Sequence, residues 1–86
     1  MKLDRNINPD GKGKYALLNL RTNKIEWGMA DTNEEFFVLK LRDKHTKAAL
    51  VAYADSIRAS DPEFADEVLD LASRSGVFNR WCKEPD

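Results

Sequence analysis

The sequence predicts an α+β domain in which a three-stranded antiparallel sheet, a hairpin plus a third strand, is packed on one face by a C-terminal helical hairpin. Apolar residues alternate along residues 15–29, alternate again over 36–41, and recur at helical spacing after residue 43. Alternation is typical of strands with one covered face, and the 3.6-residue period is typical of helices with an apolar stripe. With 86 residues and 42% hydrophobic content, residues 1–86 are expected to form a single domain.

The N-terminal part is predicted to be an irregular arm followed by a β-hairpin. Residues 1–13 include Pro9, Gly11 and Gly13, and such a concentration of turn-forming residues is typical of irregular chain. Residues 14–42 are assigned to three strands, of which the first two lie on either side of Thr22-Asn23. Because asparagine tolerates a positive φ, this dipeptide is expected to close the hairpin.

The third strand, over about residues 35–42, has a competing interpretation. Its Phe-Phe-Val run favours a pleated, half-buried surface, and alternation would place Phe37 and Leu39 on the core side. However, Thr32-Asn33-Glu34-Glu35 has the form of a capping box, from which a helix could begin and continue into the next segment. The sequence favours the strand and leaves the helix open.

Two helices are assigned to residues 43–76. Asp43 is expected to cap the first helix, because a carboxylate accepts from the free amides of the first turn. Asp61 followed by Pro62 predicts the start of the second helix, and Gly76 its end. Residues 77–86 form a C-terminal tail whose course no pattern predicts. The expected core combines the inward side chains of both layers: Ala16, Leu18, Leu20, Ile25, Trp27, Met29, Phe37, Leu39, Leu41, Leu50, Tyr53, Ile57, Phe64, Val68 and Leu71.

Composition predicts a soluble, cytoplasmic protein. The single cysteine excludes an intramolecular disulfide, which indicates a reducing compartment. The charged N-terminal residues do not form a signal peptide, and the sequence contains no run of about 18 apolar residues that could span a membrane. Charge is uneven: residues 1–47 hold ten Lys and Arg against seven Asp and Glu, and residues 48–86 hold four against eight.

The chain contains no motif for catalysis, a metal or a cofactor, so it is not expected to be an enzyme. His45 is the single histidine, and no spacing gives it a partner for general-base chemistry. Cys82 and His45 together fall short of the four ligands that a structural zinc site needs. Both are interpreted as incidental to function.

An apolar patch on the reverse of the predicted sheet is the first candidate binding site. If the helices cover one face, four apolar side chains share the other, and contiguous apolar surface of this kind usually contacts another molecule. That molecule is expected to be a protein partner or a second copy in a homodimer. In the alternative interpretation the tail folds back and Phe78 or Trp81 covers the patch. Its members are Tyr15, Leu17, Phe36 and Val38.

An acidic stripe on the outer face of the second helix is the second candidate. Most such stripes are simply solvated, but this one could dock on a basic surface of a protein partner. The predicted contact residues are Glu63, Asp66, Glu67 and Asp70.

Nucleic acid is the alternative partner, on the basic N-terminal half of the chain. Sheets that bind single strands stack bases on exposed aromatic side chains beside basic grooves. The aromatic candidates are Tyr15 and Trp27, but Trp27 falls on the predicted core side. The basic residues concerned are Lys12, Lys14, Arg21, Lys24, Lys40, Arg42, Lys44 and Lys47.

Three segments resemble a known class of proteins: EFFVLKLRD at residues 35–43, AALVAYAD at 48–55, and WCKEPD at 81–86. They are similar to short uncharacterised proteins encoded in phages and prophages, over most of residues 15–86. The resemblance implies a bacterial cytoplasm and an accessory role based on binding, and it transfers no functional residue. The expected function is therefore a small non-enzymatic protein–protein interaction module that modulates or inhibits a host complex, such as a defence complex.

Overall fold

A computed structural model describes residues 2–85 of the chain. The protein is α+β, with a two-stranded antiparallel sheet and two main helices. The predicted hairpin and both predicted helices are present, whereas the prediction of a three-stranded sheet is wrong. The chain divides between Val38 and Leu39 into two compact units, an N-terminal unit and a C-terminal unit.

The N-terminal unit contains the short helix α1 (Asp4–Ile7) and a hairpin of strands β1 (Leu17–Asn19) and β2 (Lys24–Glu26). The register pairs Leu18 with Ile25, so these two side chains share one face as expected. At the turn the Asn19 side-chain oxygen accepts from the Arg21 amide at 3.0 Å. Asn23 takes the predicted positive φ, at 59°. The strands are only three residues long, which is much shorter than the alternation suggested.

Residues 35–40 form neither the third strand nor the alternative helix. The Thr32 hydroxyl donates to the Met29 carbonyl, and the Glu35 amide donates to the Thr32 carbonyl at 3.2 Å, so the supposed capping box closes a turn. The Phe36 carbonyl accepts from the Arg5 side chain. In a sheet this carbonyl would accept from a backbone amide of the neighbouring strand, but here it accepts from the Arg5 side chain.

The C-terminal unit is built on helices α2 (Thr46–Ile57) and α3 (Pro62–Ala72), joined by residues 58–61. They pack through a small cluster in which Ala54 and Ala65 are completely buried, with Val68 beside them. Alanine at both positions lets the helices approach closely, because it places no side chain beyond Cβ at the contact. Partly buried aliphatic side chains surround this cluster: Leu50, Ile57 and Leu69.

The start of α3 is confirmed and the start of α2 is corrected. The Asp61 carboxylate accepts from the Phe64 amide at 3.1 Å, with Pro62 in the first turn. Asp43 does not cap α2, which begins three residues later at Thr46. The Asp43 carboxylate instead accepts from the His45 amide at 2.8 Å and closes a turn before the helix.

The C-terminal tail returns to the start of α2. After a 3-10 helix (Gly76–Phe78), a parallel bridge pairs Lys83 with Asp43. The Lys44 amide donates to the Lys83 carbonyl at 2.9 Å, and the Gly76 amide donates to the Leu41 carbonyl at 2.8 Å. The tail is therefore held within the C-terminal unit by backbone hydrogen bonds. α3 ends at Ala72, so Gly76 is not its stop.

The predicted core is largely wrong. Leu18, Ile25 and Phe37 are each more than half exposed, and Leu20 is 87% exposed. Two three-residue strands present too little surface to form a covered sheet face, which is the physical reason for the difference. Among residues 2–85 the buried hydrophobic side chains are few and small: Ala54, Ala65, Val68 and Ala72. None of the helices in this part of the chain has the length and apolar character needed to cross a membrane.

Candidate interaction surfaces

The four residues of the predicted apolar patch all lie in the N-terminal unit, but not on the back of a three-stranded sheet, because the third strand is absent. Leu17 lies in β1 opposite Glu26 and is 45% exposed. Tyr15 and Val38 are also exposed. The Lys14 ammonium lies 5.5 Å from the centre of the Tyr15 ring. These side chains remain available for contact, whereas the face that was expected to unite them does not exist.

Phe36, the fourth member of that patch, is half-buried because Arg5 and Gly28 enclose it. The Arg5 guanidinium donates to the Gly28 carbonyl at 2.8 Å and to the Phe36 carbonyl, and pairs with Glu35 at 3.0 Å. Its carbon centre lies 5.9 Å from the centre of the Phe36 ring. A Cβ on Gly28 would lie 2.5 Å from that ring, and the φ of Gly28 is +64°, so only glycine fits here. The Arg5 side chain is 9% exposed and links α1 to Gly28 and to residues 35–36.

The other face of the hairpin is an apolar surface that sequence reasoning assigned to the core. Leu18 and Ile25 pair across the strands there, and Trp27 follows β2 with 39% of its surface exposed. The Lys12 ammonium lies 3.9 Å above the Trp27 ring. We refer to the exposed apolar side chains on both faces of this hairpin as the hairpin surface: Leu18, Ile25 and Trp27 on this face, Leu17 on the opposite face, and Leu20 in the turn.

The predicted acidic stripe is present on α3 as an exposed row of carboxylates. Asp66 pairs with Arg58 at 3.1 Å and Asp70 pairs with Arg74 at 2.6 Å. Both pairs are exposed to solvent, so each contributes about 1 kcal/mol or less to stability. The pairs also reduce the negative charge that a partner would meet. All four predicted contact residues are exposed: Glu63, Asp66, Glu67 and Asp70.

A shallow groove of about 590 Å³ runs along the same helix. Phe64 and Leu71 supply apolar surface to it, and the Phe64 ring meets Tyr53 edge-on with ring centres 6.3 Å apart. The acidic stripe is therefore interleaved with apolar side chains. The lining residues are Phe64, Asp66, Glu67, Val68, Asp70, Leu71 and Arg74.

A third surface, which sequence reasoning missed, lies where the tail meets the start of α2. Phe78 and Trp81 are 62% and 64% exposed. The Lys47 ammonium lies 4.2 Å from the centre of the Phe78 ring, and the Arg80 guanidinium 4.6 Å from that of Trp81. We refer to Lys47, Phe78, Arg80 and Trp81 as the basic–aromatic surface. The available signal is the sequence Phe-Asn-Arg-Trp, which lies in the tail whose course no pattern predicts.

The two residues considered for chemistry lie in the C-terminal unit. Cys82 is exposed, and His45 occupies the position immediately before α2. Within residues 2–85 no three His, Cys, Asp or Glu side chains are grouped so that they could hold a metal ion. No family model, curated protein or solved structure matches this chain. The functional argument therefore depends on the surfaces described above.

Proposed function

We propose that this chain is a small protein–protein interaction module whose hairpin surface binds a protein partner. The supporting observation is that Gly28 is the one buried residue among the described residues of the N-terminal unit, while five large apolar side chains of the hairpin are exposed. A folded unit gains about 25 cal/mol for each Å² of apolar surface that leaves water. Because so little of its apolar surface is buried internally, this unit gains further stabilisation when a partner covers the hairpin.

Within the N-terminal unit the contact extends to the side chains that flank the hairpin, and α3 of the C-terminal unit offers an area of its own for a partner. Tyr15 and Val38 contribute exposed apolar surface beside Leu17, and Phe36 is half-buried against Arg5. The groove on α3 combines apolar side chains with carboxylates, which suits a partner with basic residues around an apolar centre. Its proposed contact residues are Glu63, Asp66, Glu67 and Asp70.

The proposed biological setting is that of a phage accessory protein in a bacterial cytoplasm. Such a protein would modulate or inhibit a host complex by occupying one of its surfaces, without chemistry of its own. This setting rests on the resemblance of three sequence segments to short phage and prophage proteins, and the exposed hairpin surface is consistent with it.

The test is affinity capture from bacterial cells with three forms of the chain compared side by side. In the first variant, Leu17→Lys is combined with Leu20→Lys, which places two charges on the hairpin surface. The control is Thr22→Lys in the same turn, where the native side chain is exposed and polar. We expect a set of proteins that the wild type and T22K retain and the double variant loses. Identical capture by all three forms would refute the proposal.

Self-association is measured on the same proteins by sedimentation at several concentrations. A homodimer through the hairpin surface would dissociate in L17K/L20K and persist in T22K. If the wild type is monomeric at every concentration, the partner is a different protein and not a second copy of this chain.

A further inference from the structure

The excess positive charge of residues 1–47 lies in residues 39–47, which belong to the C-terminal unit. Residues 1–38 hold six Lys and Arg and six Asp and Glu, so their formal charges cancel. The excess lies in residues 39–47, with four bases against one acid. The structure places this basic segment against the tail, whose residues 76–85 add two bases and one acid. Six bases and two acids are thus gathered in two adjoining segments of one unit.

Backbone hydrogen bonds hold the two segments in register. The Lys83 amide donates to the Arg42 carbonyl at 2.9 Å, next to the bond from the Lys44 amide to the Lys83 carbonyl. Gly76 is buried with φ at +59°, and a Cβ there would lie 3.2 Å from the Lys44 carbonyl. This close approach brings the 3-10 helix beside α2, so Lys47 of one segment meets the Phe78 ring of the other.

The exposed rings of this surface are each accompanied by a cation. Lys47 lies over Phe78, Arg80 lies over Trp81, and both rings keep more than half of their surface in solvent. Lys44 pairs with Glu84 at 3.1 Å, which neutralises one of the two acids nearby. Exposed aromatic rings interleaved with lysine and arginine are the elements that bind single-stranded nucleic acid: bases stack on the rings and phosphates pair with the cations.

We propose that the basic–aromatic surface of the C-terminal unit binds single-stranded nucleic acid, with bases stacking on Trp81 and Phe78 and phosphates contacting Lys47 and Arg80. A protein partner would need many carboxylates beside its apolar contact to match this surface, whereas every nucleotide carries both a phosphate and a stacking face. The basic–aromatic surface and the hairpin surface belong to different units of the chain, and the proposal does not depend on the function proposed for the hairpin surface.

The experiment titrates the full chain with a short single-stranded oligodeoxythymidylate at low salt, and follows tryptophan fluorescence and the anisotropy of a labelled strand. A Trp27→Phe background leaves Trp81 as the one tryptophan, because the chain has two. We expect saturable quenching of Trp81, and a logarithm of the association constant that falls with the logarithm of salt by about 0.7 for each phosphate contacted. Trp81→Leu is expected to weaken binding at least about fivefold, which is the low end for loss of one stacked base.

A pair of matched charge variants distinguishes this site from a general electrostatic effect. Lys47→Glu with Arg80→Glu changes the surface itself, and Arg21→Glu with Arg58→Glu makes the same change in net charge elsewhere. Arg58 lies eleven residues beyond Lys47 along α2 and its adjoining turn, about 16 Å at helical rise. This comparison is made at about 0.1 M salt, where the Debye length is about 10 Å and Arg58 lies beyond it from Lys47. We expect the first pair to abolish detectable binding and the second pair to reduce it less than about threefold.

Three results would overturn the proposal. They are absence of binding at low salt, equal loss of binding in the two double variants, and equal quenching of Trp81 by a poly-glutamate peptide at the same concentration. The last result would identify an acidic protein segment as the occupant. Circular dichroism of every variant checks folding, and Lys47→Gln with Arg80→Gln replaces the glutamate pair if that pair fails to fold.

Discussion

Replacing Arg5 with methionine is expected to lower the stability of the N-terminal unit without lowering that of α2 and α3. Methionine keeps a long unbranched side chain of similar reach but removes every hydrogen-bond donor. Arg5 donates to the Gly28 carbonyl at 2.8 Å and to the Phe36 carbonyl, and it pairs with Glu35 at 3.0 Å. All three partners lie in the N-terminal unit, so the loss is expected to be felt there.

The magnitude follows from the burial of these contacts. A hydrogen bond from a charged donor stabilises a protein by about 1.5–3 kcal/mol. The Glu35 carboxylate is 44% exposed, so that ion pair adds about 1 kcal/mol or less. Both carbonyl bonds are only partly buried, and water replaces some of what is lost. We therefore expect Arg5→Met to destabilise the unit by about 3 kcal/mol, at the low end for two such bonds.

Hydrogen exchange measures this effect locally. Each 1.4 kcal/mol corresponds to a factor of ten in an opening equilibrium, so protection of amides in residues 24–38 should fall by about two orders of magnitude. Amides in α2 and α3 should keep their protection, and Arg21→Met in the exposed turn should change neither region. Unchanged protection of residues 24–38 in Arg5→Met would show that Arg5 does not hold the unit together.

Three further substitutions test the C-terminal unit by thermal unfolding at 222 nm. Gly76→Ala forces a side chain into a positive φ at +59° and should cost about 1–2 kcal/mol, whereas Gly13→Ala, with nothing within 4 Å, should be close to neutral. Thr46 is buried and its hydroxyl donates to a carbonyl at 2.6 Å, so Thr46→Val should cost about 1–3 kcal/mol and Thr46→Ser less. Asp61→Ala should cost about 1 kcal/mol through loss of the helix cap, and Asp61→Asn little. If a variant and its control have the same melting temperature, the contact that the variant was designed to remove does not stabilise the unit.

Local signals predicted the elements that depend on local interactions. Asp61-Pro62 starts a helix through contacts within one turn, and Thr22-Asn23 closes a hairpin through bonds among residues 19–23. The alternation over residues 36–41 is equally local, but a strand also needs an edge with which to pair. Here Arg5, thirty-one residues away from Phe36, takes the carbonyl that a ladder would use. No pattern in the sequence distinguishes this arginine from its solvated neighbours.

The candidate surfaces also divide into those that local spacing predicts and those that depend on contacts between distant residues. The acidic stripe on α3 was predictable because helical spacing alone places its carboxylates on one side. The apolar residues of the hairpin were identified, but their exposure depends on whether a third strand and a covering layer exist. The basic–aromatic surface joins Lys47 to Phe78 across thirty-one residues, and the backbone hydrogen bonds of the tail at Gly76 and Lys83 bring them together.

The most direct test of the central claim is calorimetric titration of a captured partner at several temperatures. Burial of apolar surface gives a negative heat-capacity change on binding. We therefore expect a clearly negative value for the wild type and T22K, with binding lost in L17K/L20K. A heat-capacity change near zero, or equal affinity in all three forms, would show that the hairpin surface is not what the partner covers.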